Sequence, residues 1–333
     1  MSDPHVSIIM PAHNVAAFAG EAIASIAAQT AGGFEMIVVD DGSTDATAEI
    51  LRRAQAAWPR EDAPLGLVYQ DNAGAAAARN RGVAEARGAL VGFIDADDRW
   101  SPETLGHLVG ALDAFADSDI ACPRYRRIDE AGVEVNYLGE PVQKAQPPGG
   151  ETMPPRRFDA VETLIEMPAQ SATGVLVRRA ALVAGGGFDA DLKSNNDVDC
   201  WLRILWTRQS SLVQCPAALV DYRMRSAQIT SDVRRMQDGH ARFLRNHQPL
   251  LQAMGRRARR HHFGLVRAYW ALLAARQGDL GTAFGHWLRA LVYAPRLALP
   301  GTLGSSALFA MAKSILPRTL WHGLSAARRR LRS

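Results

Sequence analysis

Three cysteines are all that this chain of 333 residues contains, and Cys122, Cys200 and Cys215 are odd in number, far apart and without a Cys-x-x-Cys pair. That excludes a disulfide framework and gives no cysteine zinc site, so a cytoplasmic protein is expected. Long apolar runs are also missing. The run in VSIIMPAHN turns polar within a few residues, too short for an export signal or a membrane span. Charge of one sign is scarce overall: 38 Lys and Arg against 34 Asp and Glu leave +4. What excess exists is concentrated in LSAARRRLRS, which holds Arg328, Arg329, Arg330 and Arg332 and implies an anionic partner there, with no nucleic acid expected. Against these absences, 47% hydrophobic content supports a substantial core.

Apolar runs of strand length alternate with Ala-rich stretches of helical length through the first hundred residues. VSIIM predicts a strand, and Ala16 to Ala28 a helix with Phe18, Ile23 and Ile26 on its apolar face. FEMIVVD predicts a second strand, and GSTDATAEILRRAQ a helix that Ser43, Thr44 or Asp45 can cap. LVYQ, AGAAAARNRGVAEARG and ALVGFID repeat the pattern. The class is therefore α/β, a Rossmann-like, mostly parallel sheet flanked by helices.

After residue 100 the reading is less regular. PETLGHLVGALDAFA predicts a helix, DIACPRYRRID and GVEVNYL a hairpin around DEAG, and QKAQPPGGETMPP a Pro/Gly-rich loop. SATGVLVRR then predicts a strand, GGGFD a turn and DVDCWLRILW a helix. Beyond residue 235 no strand is expected, and HHFGLVRAYWALLAARQGDLGTAFGHWLRALVYAPR resembles a single tetratricopeptide-like helical hairpin joined at QGDL.

Parallel sheets deliver ligand groups at the carboxyl ends of their strands. Pro11 to Asn14, Asp40 with Asp41, Asp71 with Asn72, and Asp95 to Asp98 all fall there. In GFIDADDRW, Asp95, Asp97 and Asp98 repel one another unless positive charge sits among them, and a divalent cation beside a nucleoside diphosphate would supply it. Alternation along extended backbone would turn Asp95 and Asp97 to one side. The plainer alternative is a set of turn or capping aspartates, Asp98 and Ser101 above all. Asp40 and Asp41 can accept from a base N–H or from ribose hydroxyls; a strand end plus helix cap accounts for Ser43 to Asp45 but not for these two.

VSIIMPAHN, EAIASIAAQT, FEMIVVDDGSTDAT, NAGAAAARNRGVAEARG, FIDADD and GGFD occur together in an order and spacing that resemble glycosyltransferase family 2, of the GT-A fold, over roughly residues 5 to 225. The resemblance implies inverting transfer of a sugar from a nucleotide diphosphate donor, such as a UDP-sugar, with Mn²⁺ or Mg²⁺. It divides the chain into a nucleotide-sugar half (1–100), an acceptor half (101–234) and a helical appendage with a basic amphipathic tail (235–333). Carried over by position, Pro11 and Ala12 border the nucleotide, Asp41 meets the base with Asp40 nearby, Asp95 faces ribose or metal, and Asp97 coordinates the cation. Arg79 approaches the base or phosphates, unless it is a helix-surface arginine.

An inverting displacement needs a carboxylate to take the acceptor's proton. The family's Glu-Asp pair before a helix aligns its aspartate with Asp197, while Asn196 stands in the glutamate position. The alternative for Asp197 is a helix N-cap. Asp199 would leave the same helix about 200° away. Arg225 stands where the family commonly has a histidine, and it could stabilise the leaving diphosphate or form a surface salt bridge. His13 reads as a hydrogen-bonded loop residue.

The acceptor is expected to be a saccharide or a lipid-linked molecule for a surface polysaccharide or glycolipid. The segment before and including the basic tail fits an anchor on an anionic membrane at its inner face, or a packed helix with a frayed end. Two rivals stand beside this reading. A nucleotidyltransferase would want a Gly-x-Gly-Thr-Arg-like loop, which MPAHNVAAF lacks. A non-catalytic nucleotide-sugar-binding protein is made conceivable by Asn196 and Arg225.

Overall fold

A computed structural model of the chain describes residues 4–136, 141–142, 154–167, 169, 171–192, 194–225, 233–298 and 311. Its first part runs β1 (Val6–Ala12), α1 (Ala19–Ala27), β2 (Phe34–Asp41), α2 (Thr47–Ala56), β3 (Leu65–Gln70), α3 (Ala75–Glu85) and β4 (Leu90–Phe93). These strands are parallel in the order β3-β2-β1-β4. Every residue of β1 and β2 is buried, which is why their sequences are continuous apolar runs: helices cover both faces.

The chain continues through β5 (Arg99–Trp100), α4 (Thr104–Ala114), β6 (Ser118–Ile128), β7 (Arg156–Phe158), α5 (Ala160–Glu166), β8 (Leu176–Arg178), α6 (Arg179–Ala184), α7 (Asn196–Arg208) and β9 (Ser211–Arg223). β8 lies antiparallel between β4 and β6, and β6 pairs parallel with β9, so one sheet continues beyond the four parallel strands. β5 and β7 both pair antiparallel with β9. Two cores form on the sheet's two faces, one around Ile8, Met10, Phe34 and Leu105, the other around Ile9, Phe93, Val177 and Trp201.

Several expectations need correction. The first arm of the predicted hairpin is β6, but among the described residues its second arm shows only isolated bridges from Ile128 to Glu134 and from Val135 to Pro141. Buried Ile120, Ala121 and Cys122 take β6 into the middle of the sheet instead. The long strand β9 was not anticipated because Pro216 interrupts it. The register between β6 and β9 breaks there, between Cys122 and Arg124, where a residue without an N–H can be accommodated. Phe18 precedes α1 rather than lining its apolar face, and its ring lies under two arginines described below. The helix α5, also unforeseen, opens with a capping box: Asp159 accepts from the Glu162 N–H while Glu162 accepts from that of Asp159.

Beyond β9 the described residues form only helices: α8 (Val233–Asn246), α9 (Gln248–Ala253), α10 (Arg256–Arg276) and α11 (Leu280–Tyr293), with a 3₁₀ turn at Pro295–Ala298. α10 and α11 make the expected pair, joined at Gln277–Asp279, where Asp279 caps α11 by accepting from the Thr282 N–H. Phe243, Leu250, Leu251 and Met254 belong to the same core as Phe93 and Trp201, so α8 and α9 pack on the sheet domain. The basic tail from Arg328 to Arg332 lies outside the described residues. Among the described residues no helix is long and apolar enough to cross a membrane.

Candidate active site

The carboxyl end of β4 carries the acidic cluster, and a turn shapes it. The Asp98 N–H donates to the Asp95 carbonyl at 3.0 Å, so the turn, not strand alternation, places Asp95 and Asp97. Each carboxylate meets its own partner. Asp95 accepts from Arg79 Nη2 at 2.6 Å and from Ser171 Oγ at 3.1 Å, and Arg225 Nε lies 2.6 Å from Asp97 Oδ2. Asp98 accepts from the Arg223 N–H at 2.7 Å. Burial, followed by the charges of Asp97 and Asp95, raises the Asp98 carboxyl well above its ordinary range. Burial raises Asp97 too, with Arg225 opposing and Asp95 adding to the shift.

Arg79 reaches this cluster from α3. Gly82, one turn on, lets the helix press against β1, since a Cβ there would fall 2.4 Å from Ile9 Cγ2. The Arg79 side chain is buried, its Nη1 donates to Asn196 Oδ1 at 3.3 Å, and its guanidinium lies 5.5 Å from the Phe188 ring centre. It thereby ties the end of β4 to the start of α7, which is where Asn196 finds its role.

At the neighbouring strand ends the carboxylates are engaged by loop N–H groups. Asp40 is buried and accepts from the Ser43 N–H at 3.0 Å. Asp41, also buried, accepts from Gln70 Nε2 and from the Ala73 and Gly74 N–H groups, at 2.7, 2.8 and 2.8 Å. Pro11 and Ala12 end β1 beside them and are buried. His13 sits in a loop network with the Asp41 carbonyl and the Asn14 and Asn72 amides. Asn14, in the left-handed region at φ 50°, accepts from the Thr44 N–H at 2.8 Å and holds the GSTD loop against β1.

Asp197 and Asp199 share the first turn of α7 and differ in every other respect. Asp197 is half-buried, and its carboxylate accepts from the adjacent Val198 N–H at 2.8 Å. Burial raises its pKa, Arg79 opposes that, and Asp95 adds to it. Asp199 is fully buried and accepts from Arg203 Nε, Asn246 Nδ2 and His247 Nε2 at 2.8, 3.1 and 3.0 Å. These donors outweigh the desolvation of Asp199 and draw its pKa down to about 2.

Residues overlooked in the sequence complete the site. Arg223 is almost wholly enclosed; it donates to the Asp97, Asp129 and Glu130 carbonyls and to Glu21. Phe18 lies beneath the guanidinium groups of both Arg223 and Arg225, at 4.9 and 5.5 Å. Thr173 Oγ1 accepts from the Asp95 N–H at 3.3 Å, and Tyr125 secures that loop by donating to the Thr173 carbonyl at 3.0 Å.

Asp95 and Asp97 are paired with the guanidinium groups of Arg79 and Arg225, the charge of Arg79 also acts on Asp197, and Asp98 is held by the Arg223 N–H. Among the described residues no three acidic, histidine or cysteine side chains converge on a metal position. A hard divalent cation nevertheless needs only one or two protein carboxylates when diphosphate oxygens and water complete its shell, and Asp97 with Asp95 fits that requirement.

A GT-A-like α/β sheet with acidic residues gathered at its strand ends defines the class of this protein. Residues 7–185 match the model of Glycosyl transferase family 2, and the chain belongs to that family. An uncharacterized glycosyltransferase of Rickettsia typhi, RT0329, is 30% identical over 229 residues, 68% of this chain and 66% of that one. The putative teichuronic acid biosynthesis glycosyltransferase TuaG of Bacillus subtilis is 38% identical over 103 residues, 31% of this chain and 39% of that one. The chain spans between a third and two thirds of the length of such curated relatives. In fold it is similar to S. aureus TarS (1–349) in complex with UDP-GlcNAc (TM-score 0.55, 18% identity, 86% of this chain and 91% of that one). It is also similar to the mannosyltransferase PcManGT of Pyrobaculum calidifontis in complex with GDP-Man and Mn²⁺ (TM-score 0.57, 21% identity, 98% and 84%).

Proposed function

We propose that the protein transfers a sugar from a nucleotide diphosphate donor to a hydroxyl acceptor with inversion, for a surface polysaccharide or glycolipid. Family membership supports the reaction class, the UDP-GlcNAc and GDP-Man of the two structural neighbours support the donor class, and the similarity to the putative teichuronic acid biosynthesis enzyme TuaG supports the product class. The observation that carries the assignment of roles is the contrast between Asp197, with its lightly engaged and upward-shifted carboxylate, and Asp199, whose carboxylate is fully occupied.

In this reading Asp197 accepts the proton of the acceptor hydroxyl as its oxygen bonds to the anomeric carbon. The bond from that carbon to the diphosphate breaks, and a nucleoside diphosphate leaves. Arg79 orients Asp95 and Asn196 together, keeping the two halves of the site in register. Pro11, Ala12, Asp40 and Asp41 shape the nucleoside end, where Asp41 stiffens the loop at 70–74. Arg225 and Arg223 put positive charge at the diphosphate end. Mn²⁺ or Mg²⁺ held by Asp97, with Asp95 beside it, would neutralise diphosphate charge.

The test supplies nucleotide sugars with saccharide and lipid-linked acceptors. Nucleoside diphosphate should be released in step with a product of inverted anomeric configuration. Donor binding without turnover for any acceptor would instead favour the binding-protein reading, and retained configuration would remove Asp197 as the base.

A further inference from the structure

We propose that the α10–α11 hairpin docks on an anionic membrane surface, presenting an apolar stripe of α11 edged by the arginines that open α10. On α11, Ala283, His286 and Ala290 are buried against the molecule, as helical spacing requires. Phe284, Leu288 and Val292 lie on another face, at intervals of four, and are 51%, 45% and 70% exposed. A stripe of one exposed side chain per turn is an interfacial pattern, not scattered surface apolarity.

The adjacent charge is of one sign. Arg256, Arg257, Arg259 and Arg260 all fall within the first five residues of α10, are exposed, and form no ion pair among the described residues. Arg260 Nη2 donates to the Val292 carbonyl at 2.8 Å, and the Phe263 and Tyr293 rings 5.9 Å apart hold the start of α10 beside the end of α11. From Arg256 to Arg296 the sole acidic residue is Asp279, in the turn between the two helices. The arginines also sit at the positive end of the helix dipole, where they are unfavourable without an anion.

Charge complementarity selects the occupant. A second copy meeting this face would bring arginines against arginines. A nucleic acid would satisfy the arginines but leave the aliphatic stripe wet. An interface of anionic headgroups over acyl chains satisfies both, as an interfacial helix does. The inference stands apart from the donor site and from the basic tail, and it would hold the molecule beside a lipid-linked acceptor.

The test measures co-sedimentation of the full chain with phosphatidylglycerol-containing and pure phosphatidylcholine vesicles at low salt. The chain should bind the anionic vesicles and be released by salt. Arg256→Gln/Arg257→Gln/Arg259→Gln should weaken binding about a hundredfold, at about fivefold for each arginine near the surface. Phe284→Ser/Leu288→Ser/Val292→Ser, with charge unchanged, should also lose binding, and circular dichroism should show both variants folded. Deleting residues 318–333 should leave binding that both sets of substitutions still diminish. Free glycerol phosphate should not compete. The proposal is overturned if neither folded variant changes binding, if neutral vesicles bind equally well, or if glycerol phosphate competes fully. A stripe variant that converts a dimer to a monomer without affecting vesicle binding overturns it, as does duplex RNA binding by a chain that ignores vesicles.

Discussion

Arg225 Nε and Asp97 Oδ2 stand 2.6 Å apart, so the carboxylate assigned to a cation already has a cation beside it. The pair is only partly exposed, and burial opposes the charged form of Asp97 while Arg225 favours it. A divalent ion binding at Asp97 must then compete with the guanidinium.

Asp97→Ala should therefore abolish Mn²⁺-dependent donor binding and leave the fold intact, because it removes repulsion along with a ligand. Arg225→Gln removes the competing guanidinium, so above the carboxylate titration range Mn²⁺ should bind more tightly in the absence of donor. Titration calorimetry of donor in the presence of Mn²⁺ reads the first, and of Mn²⁺ alone the second. Unchanged donor affinity in Asp97→Ala would sink the metal assignment.

Much of the first hundred residues was legible because parallel strands buried on both faces write themselves as apolar runs, and the polar residues that end them are conspicuous. The chain after residue 100 was less so. β9 carries Pro216 and mixes buried with half-buried positions, so its sequence resembles no regular strand, although it supplies Arg223. The short strands β5 and β7 exist only through pairing with β9. Arg79 could be picked out but not aimed: only the packing of α3 on β1 turns it toward Asp95 and Asn196. Phe18 looked like a core residue because periodicity does not reveal that the helix begins after it.

Gly239 in α8 makes a close approach of another kind. A Cβ there would fall 1.9 Å from Ser194 Oγ and 3.1 Å from the Ser194 nitrogen, just before α7. Alanine favours a helix over glycine by about 1 kcal/mol, but overpacking costs about 1–3 kcal/mol and should win. Gly239→Ala should therefore lower Tm and disturb the segment leading to Asp197. An unchanged or raised Tm would mean that α8 can shift freely against that segment.

Acid should loosen the appendage before it affects the ion pairs of the sheet domain. His240 and His262 are buried with ring centres 6.1 Å apart, and burial draws their pKa values down to about 3 and about 4 from 6.5. Further lowering comes from His262 and Arg267 on His240, and from His261 on His262, while the Leu164 carbonyl opposes it at His262. With folded pKa values depressed, the unfolded chain binds protons first. Stability is therefore full above about pH 6.5 and falls with acidification by about 1.4 kcal/mol per pH unit for each histidine until the folded pKa is reached. Asp199 contributes no loss until pH drops below its unfolded value of 3.8 toward about 2. Denaturant unfolding between pH 7 and 5 should show this slope, and His240→Phe should flatten it; an identical slope in the variant would acquit His240.

The two aspartates of α7 give the sharpest separation of chemistry from architecture. Asp197→Asn keeps size and most hydrogen-bonding capacity but removes the proton acceptor, so transfer should slow by ~10²–10⁴-fold while donor binding and Tm hold. Asp199→Asn should do the opposite. Arg203, Asn246 and His247 all donate to that buried carboxylate, and an amide leaves a buried guanidinium contact without its counter-charge and at least one donor facing another. Breaking such a buried set costs about 3–5 kcal/mol, so the variant should unfold early and yet transfer sugar at near the parental rate per folded molecule. Rates, donor affinities and melting curves must be taken for both variants with the same metal and acceptor. If Asp199→Asn kills transfer without loss of stability while Asp197→Asn does not, the register carried over from the family is wrong by two residues. If neither variant affects transfer, the base lies elsewhere.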